Sequence, residues 1–256
     1  MVNFNLFSLI LLLTIILLSS SGSGNSKYFD YAGAQESKEE EPIINDPNLK
    51  TDVVVNGLEL PTGMAFLGPN DILVIEKNKG TVQRIIDGKM LPEPLLDVNV
   101  ANKSERGLLG IAVSKHENGP TYVFLYYTEA KVEGSDVCPK PGEPCTGDIP
   151  LGNRLYRYEL VDNKLINPKL LLDLPTTPGP SHDGGVVKIG PDNNVYVVVG
   201  DLNYIKNQSA YTVAQNDVGG RPADGRGGVL RVTQDGGVVG GGREGMVKVY
   251  LEMKIL

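Results

Sequence analysis

One unit recurs three times along this sequence: a glycine, a short apolar strand, a polar turn and a second strand. The glycine that opens the first strand of each unit is Gly63, Gly110 or Gly185, and the intervals between these glycines are 47 and 75 residues. The copies are Leu60–Glu76 (LPTGMAFLGPNDILVIE), Arg106–Tyr127 (RGLLGIAVSKHENGPTYVFLYY) and His182–Gly200 (HDGGVVKIGPDNNVYVVVG). Repeats of about 40–50 residues that each form one sheet are typical of β-propeller blades.

The rest of the chain also predicts strands. From Val53 onward, β-branched and aromatic runs alternate with Gly, Pro, Asn and Asp turns, and no stretch has a sustained helical period. Further strand pairs follow the unit, as in Gly80–Ile86 and Asn153–Leu160. We predict an all-β chain, a partial β-propeller of four-stranded blades with about three to four blades. A β-sandwich is the competing fold, but it does not predict the recurring unit.

The sequence divides into four segments. Residues 1–24 contain the apolar run Asn5–Leu18 and are predicted to be a signal peptide or an N-terminal membrane anchor. Residues 19–50 are rich in Ser, Gly, Asn, Glu and Pro and lack apolar periodicity, so residues 25–50 are predicted to be a disordered linker. Residues 51–242 are predicted to form the propeller, and residues 243–256 form an atypical tail without the blade pattern. The first segment predicts a secreted or cell-surface protein.

Charge and cysteine content narrow the function classes. Removing the 3 basic and 6 acidic residues of positions 1–50 from totals of 24 and 31 leaves a net charge of −4. No basic patch stands out, so we expect no nucleic-acid partner.

Cys138 and Cys145 bracket a Pro/Gly-rich segment, which predicts a local disulfide in an exported chain. A metal site is the weaker alternative, because no His or further Cys lies near them.

His182 begins a predicted hairpin and is one of only two histidines in the chain. Val186–Ile189 and Val195–Val199 are the predicted strands, and the residues between them have turn chemistry. This hairpin brings His182 opposite Asp201. A carboxylate beside an imidazole holds one tautomer, as a general base requires. The alternative interpretation of the His-Asp-Gly-Gly sequence is a solvated turn.

The other histidine, His116, lies in a predicted surface turn, and we assign it no role. Asp192, Asn193 and Asn194 carry oxygen atoms that calcium prefers, but their spacing matches no calcium loop and the hairpin needs them as turn residues. We therefore predict that these three residues are structural.

The first strand of each propeller blade lines the central channel, so the residues before the three glycines should meet at one mouth of it. These are Pro61 and Thr62, Glu105 and Arg106, and His182 and Asp183. A base, an acid and a cation from different blades around one cavity are typical of an active site. We expect Glu105, Arg106 and Asp183 to contact a cofactor. The alternative is that channel mouths are polar anyway.

Three blocks resemble the soluble glucose/sorbosone dehydrogenase family, within about Val53–Gly242. They are Glu105–Ala112 (ERGLLGIA), His182–Asp201 and Gly227–Asp235 (GGVLRVTQD). The resemblance implies an exported six-bladed propeller that uses pyrroloquinoline quinone and calcium to oxidise sugars. It also implies that His182 takes the proton of a sugar hydroxyl as hydride passes to the quinone, and that Asp201 supports His182.

The chain departs from the family pattern in two places. The position of Glu105 is commonly Gln in the family, and a carboxylate there would repel the carboxylates of the quinone. The family's quinone-binding arginines and calcium ligands lie mostly in later blades, so we predict no metal ligand here and a C-terminally truncated chain. Arg221 and Arg226 lie in a Gly-rich loop that would meet an anionic cofactor or would merely be solvated.

The resulting functional prediction is an exported quinoprotein oxidoreductase. It would act on the hydroxyl of an aldose or related sugar and pass electrons to an external acceptor, with weak or no activity from this chain alone. The alternative is a non-catalytic propeller that binds a protein or glycan at the cell surface. A calcium-dependent lactonase would need a complete ligand set, of which the sequence offers only Glu105 and Asp183.

Overall fold

The computed structural model describes residues 44–132, 150–177, 179–202, 225–237 and 239. Within these ranges the chain forms twelve strands and no helix, which confirms the all-β prediction. No membrane-spanning helix is found in the part of the chain so described. The predicted signal peptide or anchor, most of the linker, Cys138, Cys145, Arg221 and the tail lie outside it.

The chain forms two compact units, Met1–Thr51 and Asp52–Leu256. In the first unit, the described residues 44–51 contain a turn in which the Leu49 N–H donates to the carbonyl of Asp46 over 3.1 Å. All twelve strands belong to the second unit.

The first sheet has four strand positions. Its strands are β1 (Pro61–Gly68), β2 (Asp71–Glu76), β3 (Thr81–Ile86), β4 (Lys89–Met90) and β5 (Leu96–Asp97). The first three form an antiparallel meander. The two short strands pair with opposite ends of β3, β4 at Ile85–Ile86 and β5 at Thr81–Val82, and so share the fourth position.

The second and third sheets repeat the meander. The second contains β6 (Leu108–Lys115), β7 (Thr121–Glu129), β8 (Gly152–Val161) and β9 (Lys164–Leu174), in that order. The third contains β10 (Val187–Ile189), β11 (Val195–Val199) and β12 (Gly228–Val232). The first two strands of each sheet coincide with one copy of the recurring unit. The predicted hairpin is confirmed, since Val187 pairs with Val197 and Ile189 with Val195.

The central strand β7 is buried on both faces because its alternate side chains enter two different cores. Val123, Leu125 and Tyr127 belong to the core shared with the first sheet. Phe124 and Tyr126 belong to the core shared with the third sheet. A strand's side chains alternate between its faces, so one strand can join both cores. The three sheets are therefore packed face to face in chain order.

The recurring glycines lie where the first strands of neighbouring sheets approach each other. A Cβ on Gly110 would lie 1.8 Å from the carbonyl oxygen of Gly185, and a Cβ on Gly63 would lie 3.5 Å from the side chain of Ile111. Only glycine permits the contact between Gly110 and Gly185. Sheets in sequence, with their first strands adjacent, form successive blades of a β-propeller.

Candidate active site

The backbone at His182 is tightly constrained. Its φ is 62°, in the left-handed region that residues other than glycine rarely adopt. Gly184 and Gly185 follow with φ of 81° and 126°. The end of β11 presses on this bend, because a Cβ on Gly200 would lie only 1.8 Å from the carbonyl oxygen of His182. The bend before β10 thus depends on close packing against Gly200.

The imidazole of His182 is held by the carboxylate of Asp201. Their Nδ1 and Oδ1 atoms are 2.7 Å apart, which confirms that the hairpin brings the two residues together. Because a carboxylate only accepts hydrogen bonds, Nδ1 donates, and in the neutral imidazole Nε2 then carries the lone pair. The His182 side chain is 56% exposed and that of Asp201 is 18% exposed. The imidazole is therefore both oriented and accessible to a solute.

Glu105 contacts His182 from the neighbouring blade. Its Oε2 accepts a hydrogen bond from the backbone N–H of His182 over 2.6 Å, and its own N–H donates to the carbonyl of Pro180 over 3.1 Å. The hydroxyls of Ser104 and Ser181 are 3.2 Å apart. Residues before Gly110 and Gly185 thus meet, as the repeat predicts.

In the first blade, the Thr62 hydroxyl donates to the carbonyl of Leu108 over 2.8 Å. The residues before the first recurring glycine therefore contact the start of the second blade.

Asp183 points away from the imidazole, into the interior. It is 1% exposed, and its Oδ1 accepts a hydrogen bond from Nδ2 of Asn153 over 3.1 Å. The hydroxyl of Tyr126 donates to its carbonyl over 3.0 Å. Burial and the nearby Asp183 carboxylate raise the pKa of Tyr126, which keeps this phenol a donor. Asn153, which the sequence did not single out, is itself buried and accepts a hydrogen bond from Thr128 over 2.6 Å.

Two arginines contact the segment that leads to His182. Arg106 is buried, and its Nη2 donates to the carbonyl of Thr176 over 2.6 Å. Arg226 is half-buried, and its Nη1 donates to the carbonyl of Thr177 over 3.1 Å. Of the two, Arg226 is the more accessible to a dissolved anion.

At the opposite end of the hairpin, an open cavity of about 630 Å³ is lined by residues that include His116, Tyr122, Asn193 and Gln234. His116 Nε2 lies 3.2 Å from the side-chain oxygen of Gln234. His182 does not line this cavity. No sequence signal pointed to it, because its walls come from turns that are distant in sequence.

The turn between β10 and β11 is braced by Asp192. Its carboxylate accepts hydrogen bonds from the side chains of Asn194, Tyr196 and Arg231. The hydrogen bonds from Asn194 are the main cause that lowers the pKa of Asp192 well below its usual value. These contacts give Asp192 and Asn194 a structural role in the turn. Among the described residues, no group of three or more His, Cys, Asp or Glu side chains is arranged to hold a metal ion.

Comparison with known proteins gives a family and a fold. The family Glucose / Sorbosone dehydrogenase matches residues 58–242. Quinoprotein glucose dehydrogenase B of Acinetobacter calcoaceticus is 25% identical over 207 residues, which are 75% of this chain and 40% of that protein. An uncharacterised protein of Synechocystis is 26% identical over 61% of this chain and 36% of its own.

A solved structure extends the comparison to three dimensions. The aldose sugar dehydrogenase of Streptomyces coelicolor, in its form with pyrroloquinoline quinone bound, superimposes with a TM-score of 0.58 at 25% identity. The match covers 78% of this chain and 52% of that one. The chain thus spans about half or less of the length of these relatives.

Proposed function

Because the chain belongs to the Glucose / Sorbosone dehydrogenase family, we propose that it provides the proton-accepting side of a sugar-oxidising site. Its fold is that of sugar dehydrogenases that use pyrroloquinoline quinone. The observation that carries the proposal is the 2.7 Å contact between His182 and Asp201 at an exposed imidazole. The proposed substrate is the hydroxyl of an aldose or a related sugar.

In the proposed reaction, Nε2 of His182 takes the proton of the sugar hydroxyl. Asp201 keeps the other ring nitrogen protonated and stabilises the imidazolium that forms. When bound, pyrroloquinoline quinone would supply the acceptor for the hydride of the carbon that bears this hydroxyl, so that loss of one proton and one hydride leaves a carbonyl. General-base catalysis of this kind contributes about 10²–10⁴-fold to the rate. The two electrons would then pass to an external acceptor.

The residues around His182 fit part of this site. An accessible imidazole with a fixed tautomer is suited to accept the proton of a sugar hydroxyl that is bound beside the quinone. The quinone is also a polyanion, and we propose that Arg226, which is half-buried, faces one of its carboxylates. Arg106 and Asp183 are buried, so we propose that they hold the loop of His182 and do not touch the cofactor. A role for calcium rests on the family alone, and we assign it no ligand.

We also propose that the protein acts outside the cytoplasm, with Asn5–Leu18 either cleaved or retained as an anchor. Fractionation of cells that express the full chain, followed by N-terminal sequencing of the product, tests this. The expected product is extracytoplasmic and either begins after the small residues that follow Leu18 or is membrane-bound. Recovery of an uncleaved chain from the cytosol contradicts the proposal.

The experiment that tests the enzymatic proposal is reconstitution of the chain with pyrroloquinoline quinone and calcium. Binding of the quinone to the chain during a titration should change the absorbance of the quinone. Addition of an aldose should then start a slow reduction of a dye by the loaded chain. A matched sample without sugar gives the background. Quinone binding without any sugar-dependent reduction, both in this chain and in a full-length relative that contains the same sequence blocks, would count against oxidation. Absence of quinone binding would favour a propeller that only binds a partner.

A further inference from the structure

We infer that Glu105 is a positioning residue, which fixes the backbone of His182 from the neighbouring blade. The inference deepens the proposed function and rests on it for its catalytic meaning. The sequence alone predicts a cofactor contact for Glu105. In the structure its carboxylate accepts a hydrogen bond from the N–H of His182 over 2.6 Å. A carboxylate acceptor makes a short, strong hydrogen bond with a backbone N–H.

The position of His182 explains why such a bond is needed. Its φ of 62° is disfavoured for a residue with a Cβ, so neighbouring contacts must hold it. The ladder between the first two strands of the third blade reaches back only to Gly185, whose N–H donates to Val198 over 3.0 Å. The N–H of His182 lies beyond this ladder, and the Glu105 carboxylate receives it instead.

Glu105 is itself mounted on a fixed segment. Lys77 of the first blade donates from Nζ to the carbonyl of Ser104 over 2.9 Å, and its own carbonyl accepts the N–H of Leu108 over 2.9 Å. Close packing reinforces this, since a Cβ on Gly107 would lie 2.5 Å from the carbonyl oxygen of Lys77. A chain of contacts therefore runs from the first blade through Glu105 to His182 in the third.

His182 is thus held at two points by two carboxylates. Asp201 fixes the ring through Nδ1, and Glu105 fixes the backbone through the N–H. The two contacts restrain different torsions: the first limits rotation of the side chain, and the second limits rotation about φ. Loss of the Glu105 contact should let the left-handed backbone relax and carry the imidazole away from Asp201.

The two histidines of the chain make a direct test practical. With ¹⁵N-histidine incorporated into the full chain, NMR reports the backbone amide and ring nitrogens of His182, and His116 serves as an internal reference. In Glu105→Ala, we expect amide exchange at His182 to become about tenfold faster, as loss of one hydrogen bond implies. We also expect its ring ¹⁵N signals to move towards a mixture of tautomers, while His116 is unchanged.

Glu105→Gln keeps an acceptor oxygen and should restore most of the wild-type signals. Glu93→Ala, which removes an exposed glutamate in the first blade, is the control and should change nothing. If Glu105→Ala fails to fold, as His116 will show, Glu105→Met keeps the side-chain length without the acceptor and takes its place.

The inference would be overturned if Glu105→Ala, or Glu105→Met in its place, kept the wild-type amide exchange and ring signals of His182. It would also be overturned if Glu105→Gln changed these signals as much as Glu105→Ala does. Because none of these signals requires turnover, their outcome is independent of whether the chain oxidises sugar.

Discussion

Replacing Gly200 with alanine should push apart the bend that carries His182, the proposed base, and the end of β11, which is followed by its partner Asp201. The new Cβ would lie 1.8 Å from the carbonyl oxygen of His182 and 2.9 Å from its Cβ. Ordinary contact begins at 3.4 Å, so the backbones must move apart by about 1.6 Å. The same shift would stretch the 2.7 Å contact between His182 and Asp201 beyond hydrogen-bonding distance.

The cost follows from these displacements. Overpacking of this kind destabilises by about 1–3 kcal/mol, and loss of a hydrogen bond adds about 1 kcal/mol. We therefore expect the free energy of unfolding to fall by about 2–4 kcal/mol, measured by urea denaturation. The ring ¹⁵N signals of His182 should report a lost tautomer preference in the molecules that remain folded.

Gly68→Ala is the matched control, because the nearest atom to its new Cβ would be 3.6 Å away. We expect this variant to change the unfolding free energy by less than about 0.5 kcal/mol. Should Gly200→Ala be as stable as Gly68→Ala and keep the wild-type ring signals, the reasoning from close approach would be refuted.

Two further predictions concern a buried amide and a half-buried phenol. Asn153→Ala should lower the free energy of unfolding, measured in urea, by about 2–3 kcal/mol, because it removes a donor from the buried Asp183 carboxylate. Asn118→Ala, at an exposed position, is the control and should lower this free energy far less. Equal losses of stability in the two variants would contradict the role given to the bond between Asn153 and Asp183. Burial raises the pKa of Tyr156 to about 12. The folded protein therefore keeps a proton that the unfolded chain loses near pH 10, and stability should fall as the pH rises from about 10 to about 12. Tyrosinate absorbance checks this, and ionisation of Tyr156 near pH 10 in the folded protein would contradict it.

The parts of the site that are local in sequence could be predicted. Strand alternation and the length of the turn at Asp192 set the register of the hairpin, and that register places His182 opposite Asp201. The recurring unit likewise predicted which strands come first in each blade. At Gly110 the structure adds that only a residue without a side chain allows the approach to Gly185.

The individual side-chain hydrogen bonds between blades could not be predicted. The sequence around Asn153 does not indicate that its side-chain amide hydrogen-bonds Asp183, because that pairing depends on how two sheets pack against each other. The same holds for Glu105, for which the sequence predicts a cofactor contact and the structure shows a hydrogen bond to the His182 backbone. The left-handed φ of His182 was also missed, since residues with a side chain seldom adopt it.

We propose that His182 is the general base and Asp201 its orienting partner. The most direct measurement is the rate of sugar-dependent dye reduction by an intact homologous enzyme loaded with quinone, compared among wild type and the changes that match His182→Ala and Asp201→Asn. We predict that His182→Ala loses nearly all turnover, by about 10²–10⁴-fold, with quinone binding roughly unchanged. Asp201→Asn should show a clear but partial loss, because an amide still hydrogen-bonds the ring but does not stabilise the imidazolium. Retention of most turnover in His182→Ala, or a greater loss in a folded Asp201→Asn, would contradict the claim.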